Sequence, residues 1–205
     1  MKRGPYPWLK PGVLCGSLAP LAVIILRATQ GGLGANPVAE VLNELGLLTL
    51  VFLVASLACT PLKAIVGWTW PIRLRRMLGL FVFFYAVLHL CTYTALDQGF
   101  DWPAIWEDVT KRRFIYVGFS AFMLLIPLAI TSTSCAVKRM GFVNWKRLHR
   151  LAYVAAVLGI VHFTWRVKKD MREPMTYAAV LGLLFLVRVL FSLHERLRTR
   201  SAIHT

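Results

Sequence analysis

The sequence predicts an all-α fold, an integral membrane bundle of six transmembrane helices with both termini cytoplasmic. Hydrophobic residues make up 58% of the 205 residues, and the mean hydropathy is +0.62, above the range of soluble domains. These residues fall in six long runs, each near the length that crosses roughly 30 Å of hydrocarbon. No run alternates as a barrel strand does, so each is predicted to be a helix that satisfies its own backbone hydrogen bonds.

The six predicted spans follow one another in a single domain that covers residues 1–205. The first follows Lys2, Arg3 and Lys10 and resembles a signal peptide. No small-residue cleavage site closes it, so we interpret it as a retained helix. The first two runs are short for a span, and Pro20 and Pro127 are expected to kink the first and fourth helices. The predicted bounds are 13–28, 45–60, 74–96, 114–134, 148–167 and 175–193.

The distribution of the 24 Lys and Arg residues predicts the orientation. A cytoplasmic N-terminus places most of them on the inner side, at the start of the third and fifth spans and in the C-terminal tail, with Glu195 as the only acid there. The outer loops then carry bases and acids in equal number. Because the number of spans is even, the C-terminus lies on the same side as the N-terminus.

Charge and motifs exclude several classes of function. The formal net charge of +15 is explained by the orientation, so nucleic-acid binding is not expected. The sequence has no P-loop and no glycine-rich nucleotide fingerprint. Its four cysteines form no CxxC or CxxCH motif, which argues against a redox dithiol, a zinc ribbon and a covalently attached c-type haem.

Two histidines lie at matched depth in the third and fifth spans. His89 follows Arg76 by 13 residues, and His162 follows His149 by 13 residues, a rise of about 20 Å in each helix. Both helices run from inside to outside, so His89 and His162 are predicted to lie at one level. A low-spin b-type haem needs one imidazole on each face of its ring. An ionisable residue within a span is a functional candidate by default.

The residues around His162 are small, and two interpretations of them remain open. Gly159, Ala155 and Ala152 share its helix face and leave a groove in which a flat macrocycle fits. They also suit close helix packing. A bare zinc ion is disfavoured, because zinc usually takes four ligands and the spans contain no deep Asp or Glu.

His149 lies about 20 Å below His162, where a second haem would complete a path across the membrane. On a straight helix the two histidines would point about 140° apart. The third span has no histidine at this inner level, which leaves His194 as a partner. His149 is therefore a candidate haem ligand, an interfacial histidine, or a propionate or quinone contact. His194 and His204 are interpreted as solvated residues of the tail.

Two segments resemble a known family. "RRMLGLFVFFYAVLHL" and "NWKRLHRLAYVAAVLGIVHF" are similar to the haem-binding membrane subunit of the bacterial periplasmic methionine sulfoxide reductase system, the MsrQ (YedZ) family. That family belongs to the wider ferric-reductase-like transmembrane group. The resemblance covers nearly the whole chain and includes the six spans, the LHRL-Y motif and the positions of His89, His149 and His162.

The resemblance implies an electron-transfer subunit of the bacterial inner membrane, which is not itself the catalytic subunit. Such proteins bind haem b, here one or two, through the positions of His89, His162 and His149. They pass electrons from the quinone pool to a periplasmic molybdopterin-dependent methionine sulfoxide reductase catalytic subunit. FMN and a cytosolic flavin reductase are also associated with the family. Members of the wider group have a second histidine in the third span. This chain lacks it, which leaves open how an inner haem would be ligated.

Several arginines are candidate contacts for haem propionates. Arg166, together with Lys168 and Lys169, follows His162 on the outer side, and these bases also suit an acidic partner or a solvated loop. The candidates on the inner side are Arg75, Arg76 and Arg150. The predicted orientation alone also accounts for positive charge at these three positions.

Two other functions compete with electron transfer to a partner enzyme. A stand-alone ferric-type reductase would be fed by a cytosolic flavin reductase. A proton-relaying transporter or channel would be expected to have acids within its spans and discontinuous helices. Arg188 is the only charge well within a span, so the electron-transfer subunit is favoured.

Overall fold

The computed structural model describes residues 8–167 and 170–201, and every regular element in these ranges is helical. A π-helical turn, Tyr93–Asp97, continues the third helix. The α-helices are α1 (Leu9–Thr29), α2 (Pro37–Val66), α3 (Trp70–Thr92), α4 (Trp102–Lys111), α5 (Arg113–Ile130), α6 (Ser134–Met140), α7 (Phe142–Leu148), α8 (Leu151–Arg166) and α9 (Arg172–Ser201). The predicted all-α fold is confirmed.

Six segments within the described ranges are long and apolar enough to cross a membrane: Leu9–Thr29, Pro37–Val66, Trp70–Asp97, Arg113–Ile130, Phe142–Arg166 and Arg172–His194. Large apolar side chains on their outer faces are exposed, as Val23, Ile25 and Leu26 are at 53–54%. Apolar surface of this extent is expected to face lipid tails. The prediction of six membrane helices is confirmed, and the chain is a multi-pass membrane protein.

The first two helices are longer than predicted, with 21 and 30 residues. The second begins at an N-cap, because Asn36 accepts the Ala39 amide at 3.0 Å and Pro37 occupies the first turn. It ends at Gly67, whose φ of 75° is the left-handed conformation that glycine adopts at little cost. These polar ends lie outside the apolar run, so hydropathy alone placed the bounds too far inward.

The fourth span ends earlier than the predicted residue 134. Helix α5 stops at Ile130, because the Thr131 and Ser132 hydroxyls donate to the Pro127 and Leu128 carbonyls at 2.6 and 2.7 Å. Side-chain hydroxyls of this kind compete with continuation of the helix. Thr133 then caps α6 by accepting the Ala136 amide at 3.1 Å.

The fifth span is interrupted at His149 and Arg150, between α7 and α8. The Arg150 and Tyr153 amides donate to carbonyls three residues back, those of Arg147 and Arg150, at 3.1 and 3.0 Å. Such a turn is wound more tightly than an α-helix. The straight-helix angle between His149 and His162 therefore does not apply to this span.

The most extensive helix contacts pair α2 with α3 and α5 with α8. We call the α2–α3 pair the first hairpin and the α5–α8 pair the second hairpin. A buried cluster joins the two hairpins and includes Leu53, Val82, Leu125 and Ala156. The fully buried Tyr85 ties α3 to α1 by donating to the Ser17 carbonyl at 2.5 Å. The two hairpins thus form the centre of the bundle and hold α3 against α8.

Candidate cofactor site

His89 lies near the C-terminal end of α3 and is fixed by the backbone of α2. Its Nδ1 is 2.9 Å from the Leu42 carbonyl oxygen. A carbonyl can only accept, so Nδ1 carries the proton and Nε2 carries the lone pair. Gly46 lies beside the ring, where a Cβ would be 3.2 Å from Cε1.

His162 lies in α8 and is fixed in the same way by α5. Its Nδ1 donates to the Phe114 carbonyl at 2.6 Å, so its Nε2 also carries the lone pair. Gly118 faces this ring so closely that a Cβ would lie 2.5 Å from Nδ1. Both histidines therefore have the tautomer and the backbone support that are typical of metal-ligating imidazoles.

The two hairpins bring these histidines together. The centres of the His89 and His162 rings are 6.3 Å apart, and the ring planes are almost perpendicular, at 87°. The Phe114 ring lies beside His162, with its centre 6.1 Å away. A cleft of about 350 Å³ lies where α5 begins and α8 ends, lined by Arg113, Phe114 and Trp165.

The pair fits an axial ligand set better than a bare metal site. Within residues 8–167 and 170–201, no group of three or more His, Cys, Asp or Glu is placed to hold a metal ion. A haem iron needs only two protein ligands, because the porphyrin supplies the other four. When two imidazoles bind one metal from opposite sides, each ligand nitrogen lies about 2 Å from the metal and each ring centre about 1 Å further out, so the ring centres are about 6 Å apart. The observed separation matches this value.

His149 is separate from the pair and lies at the break between α7 and α8. Its ring stacks on Trp145 with 4.0 Å between ring centres, and its Nδ1 is 3.1 Å from the Trp145 carbonyl oxygen. Its buried Nε2 has no hydrogen-bond partner in the described part of the chain. A buried nitrogen without a hydrogen-bond partner either lowers the stability of the fold or serves as a metal ligand. Arg75 is the charged residue of α3 within electrostatic range of it.

The candidate arginines divide into two kinds. Arg166 and Arg75 are partly buried, and Arg166 lies within electrostatic range of both His89 and His162. Arg76 and Arg150 are exposed. His194 is exposed near the end of α9, whereas Lys168, Lys169 and His204 lie outside the described residues.

The small residues of α8 pack against neighbouring helices. Ala155 and Ala156 are buried in the cluster that contains Leu50, and a Cβ on Gly159 would lie 4.0 Å from the Leu50 side chain. Close helix packing therefore accounts for the alanines, and a macrocycle groove along this whole face is not supported.

Three residues that contact the histidines are not identified by the sequence: Gly46, Gly118 and Trp145. Glycine within an apolar run carries no signal of what it faces, and the indole of Trp145 is held by the Thr131 carbonyl of another segment. Arg188, the charge within the sixth span, lies 4.9 Å from the centre of the ring of Tyr153, the tyrosine of the LHRL-Y motif.

Comparison with known proteins gives consistent matches. Residues 43–160 match the family described as ferric reductase like transmembrane component. A protein of Rhodospirillum rubrum is 49% identical over 92% of this chain and 91% of its own length. Proteins of Deinococcus radiodurans and Herminiimonas arsenicoxydans are 49% and 46% identical over 90% and 94% of this chain, and over 91% and 89% of their own lengths.

All three relatives are named protein-methionine-sulfoxide reductase heme-binding subunit MsrQ. The matches extend over nearly the whole chain, and the family match includes His89 and His149 together with Gly46 and Gly118. The chain belongs to the MsrQ family, within the ferric-reductase-like transmembrane proteins.

Proposed function

We propose that this protein is the haem-binding, electron-transferring membrane subunit of a protein-methionine-sulfoxide reductase. The observation that carries the proposal is the contact between His89 and His162, whose ring centres are 6.3 Å apart. The names of the relatives support the assignment to methionine sulfoxide reduction, and the six apolar helices support a location in a membrane. His89 and His162 are the proposed axial ligands of a haem b.

A haem held between these residues supplies a one-electron iron couple. The Leu42 and Phe114 carbonyls hold the Nδ1 protons of the two histidines, which keeps both Nε2 lone pairs available and makes them more basic. The positive charge of Arg166 lies within electrostatic range of both rings, and Arg166 is the proposed propionate contact of this site. A nearby positive charge also favours the reduced state of a bound redox group.

The proposed electron path runs from the inner to the outer side of the bacterial inner membrane. Quinol is the proposed donor, and the acceptor is a periplasmic molybdopterin-dependent catalytic subunit. His149, about 20 Å below the outer pair, is the proposed ligand of a second haem. Its unpartnered Nε2 and its stacking on Trp145 support this role.

Arg75 is the proposed propionate contact at the inner site, since it is partly buried near His149. Arg76 and Arg150 are exposed, and nothing in their placement favours that role over the inner-side charge pattern. A cytosolic flavin reductase with FMN is the alternative donor, and it would also serve the stand-alone ferric-type reductase.

The test is a reduced-minus-oxidised visible spectrum with haem counted per chain. We expect sharp b-type bands in the purified wild type, loss of the outer haem in His89→Ala and His162→Ala, and no change in His194→Ala. The same preparation is reduced either with a quinol or with NADH, a flavin reductase and FMN, and the faster donor is identified. Reoxidation by the catalytic subunit with methionine sulfoxide would support the proposed acceptor.

The outcomes separate the parts of the proposal. Full haem content in both outer-pair variants would overturn the ligand assignment. Folded wild type without haem, after expression with ample haem supply, would overturn the electron-transfer function and favour a transporter. Reduction by the flavin system alone, together with direct reduction of ferric iron, would favour the stand-alone reductase.

A further inference from the structure

The two ligand histidines are held by the same arrangement, built once in each hairpin. In the first hairpin, the Leu42 carbonyl accepts the His89 Nδ1–H, and the glycine four residues later faces the ring. In the second, the Phe114 carbonyl accepts the His162 Nδ1–H, and again the glycine four residues later faces the ring. In both hairpins, therefore, the residue whose carbonyl accepts the hydrogen bond and the glycine that faces the ring are four positions apart.

The spacing has a physical reason. In an α-helix the carbonyl of one residue is bonded to the amide four residues on, so the two lie on one stretch of the helix surface. An imidazole that takes the second lone pair of that carbonyl must lie over the residue that bears the amide. Any side chain there would meet the ring. Glycine lets the ring lie against the backbone and keep the hydrogen bond without any shift of the ring.

We propose that Gly46 and Gly118 are positioning residues that set the planes of the two haem-ligand imidazoles almost perpendicular to each other. This inference rests on the proposed haem ligation. Each glycine fixes where its ring lies, and each carbonyl fixes the rotation of that ring about its side-chain bonds. The observed angle between the planes is 87°.

The two glycines differ in how tightly they fit, which predicts two different outcomes. A Cβ at Gly118 would lie 2.5 Å from Nδ1 and 2.8 Å from Cε1 of His162, so the ring must move. A Cβ at Gly46 would lie 3.2 and 3.3 Å from Cε1 and Nδ1 of His89, so a shift of a few tenths of an ångström suffices. Alanine at Gly118 is therefore the severe change and alanine at Gly46 the mild one.

The angle between the ligand planes has its own spectroscopic signature. Perpendicular imidazoles interact equally with two of the iron d orbitals and leave them nearly equal in energy. Low-spin ferric iron then gives a strongly anisotropic electron paramagnetic resonance signal. Parallel planes separate the two orbitals and give a less anisotropic, rhombic signal.

The experiment records this resonance, together with haem per chain, for the purified wild type, Gly46→Ala, Gly118→Ala and the control Gly182→Ala. Gly182 lies within α9, where an added Cβ would meet nothing within 4 Å, so it reports any general effect of replacing a helical glycine. We expect a strongly anisotropic signal in the wild type and in the control. In Gly46→Ala the low-field feature shifts while haem is retained, and Gly118→Ala shifts it further or loses the outer haem.

Each result counts for or against the inference. An unshifted signal in Gly46→Ala and Gly118→Ala, with haem bound, would overturn it and leave the proposed function intact. If Gly118→Ala fails to fold, the milder Gly46→Ala decides, since a structural role alone would change the yield of protein but not the resonance. A rhombic wild-type signal would also overturn the proposed ligand planes. Wild type without haem would instead overturn the proposed function.

Discussion

At the residue scale, the three histidines of the candidate sites share one local chemistry but differ in their surroundings. His89, His162 and His149 each place Nδ1 against a backbone carbonyl oxygen, which directs the lone pair to Nε2. The first two have each other across the bundle. His149 has Trp145 on one face of its ring and an unpartnered Nε2. The same tautomer thus serves a closed pair and an open position.

Trp145 is expected to hold His149 in place, and replacing it tests this. Its ring stacks on the histidine, and its Nε1 donates to the Thr131 carbonyl at 3.0 Å. Trp145→Phe keeps the stacking and loses the hydrogen bond, which should cost about 1 kcal/mol of stability. Trp145→Leu loses both and should cost about 2 kcal/mol. Thermal unfolding in detergent measures the order of the two effects.

The position of the His149 ring has a separate readout. Modification of His149 by diethyl pyrocarbonate, followed by mass spectrometry, should be faster in Trp145→Leu than in wild type, and nearly unchanged in Trp145→Phe. Equal rates in all three proteins would show that the indole does not restrain the ring.

The sequence was sufficient to pair His89 with His162, because helical rise is regular and both spans start from basic residues at the inner surface. It was not sufficient to identify Gly46 and Gly118. Their role depends on which carbonyl each ring reaches, and that is decided by the packing of α2 on α3 and of α5 on α8.

At the element scale, the loop between the third and fourth spans contains a helix, α4, that hydropathy did not reveal. Asp101 caps it by accepting the Ala104 amide at 3.1 Å. Its buried Asp108 accepts the Tyr93 hydroxyl at 3.0 Å and pairs with Arg112 at 2.8 Å. Tyr93 begins the π-helical turn at the end of α3, and Arg112 lies between α4 and α5, so this carboxylate joins α4 to the π-helical turn and to the start of the fourth span. A pairing between elements leaves no local pattern from which to predict it.

Asp108→Ala is expected to loosen α4 and destabilise the protein. It leaves the Tyr93 hydroxyl and the Arg112 guanidinium without their acceptor, a loss of about 1–3 kcal/mol for a buried polar contact. The control is Glu107→Ala in the same helix, whose pair with Lys111 is exposed on both sides and should contribute nothing measurable. Thermal unfolding should therefore shift down for Asp108→Ala only. Equal shifts would mean that the carboxylate does not anchor the helix.

The interrupted fifth span shows the limit of reasoning from ideal helices. A straight helix would point His149 and His162 about 140° apart. The tight turn at His149 and Arg150 changes this angle, and it arises where the basic WKRLHR segment gives way to the apolar run. The existence and order of the membrane-spanning helices follow from hydropathy, whereas such a break depends on hydrogen bonds between neighbouring turns.

At the scale of the whole molecule, the charge distribution predicts on which side of the membrane the candidate cofactor site lies. The outer pair lies near the ends of α3 and α8 that are furthest from the basic segments at Arg75 and Arg147. Basic residues favour the cytoplasmic side. If the termini are cytoplasmic, the His89–His162 pair lies close to the periplasmic surface, on the side of the proposed electron acceptor.

Cysteine labelling tests this orientation with residues that the chain already has. Cys135 is exposed in α6, a segment that the predicted topology places on the cytoplasmic side, beside Lys138 and Arg139. A variant that retains only Cys135 should react with a membrane-impermeant maleimide in inverted membrane vesicles and not in intact spheroplasts. The matched variant retains only Cys91, which is exposed two residues beyond His89 and near the C-terminal end of α3. Lipid should shield it from the reagent in both preparations.

Labelling of Cys135 in spheroplasts would reverse the proposed topology, and the outer pair would then face the cytoplasm. A periplasmic acceptor would be too far from that pair for direct transfer, so this single result bears on the direction of the electron path as well as on the fold.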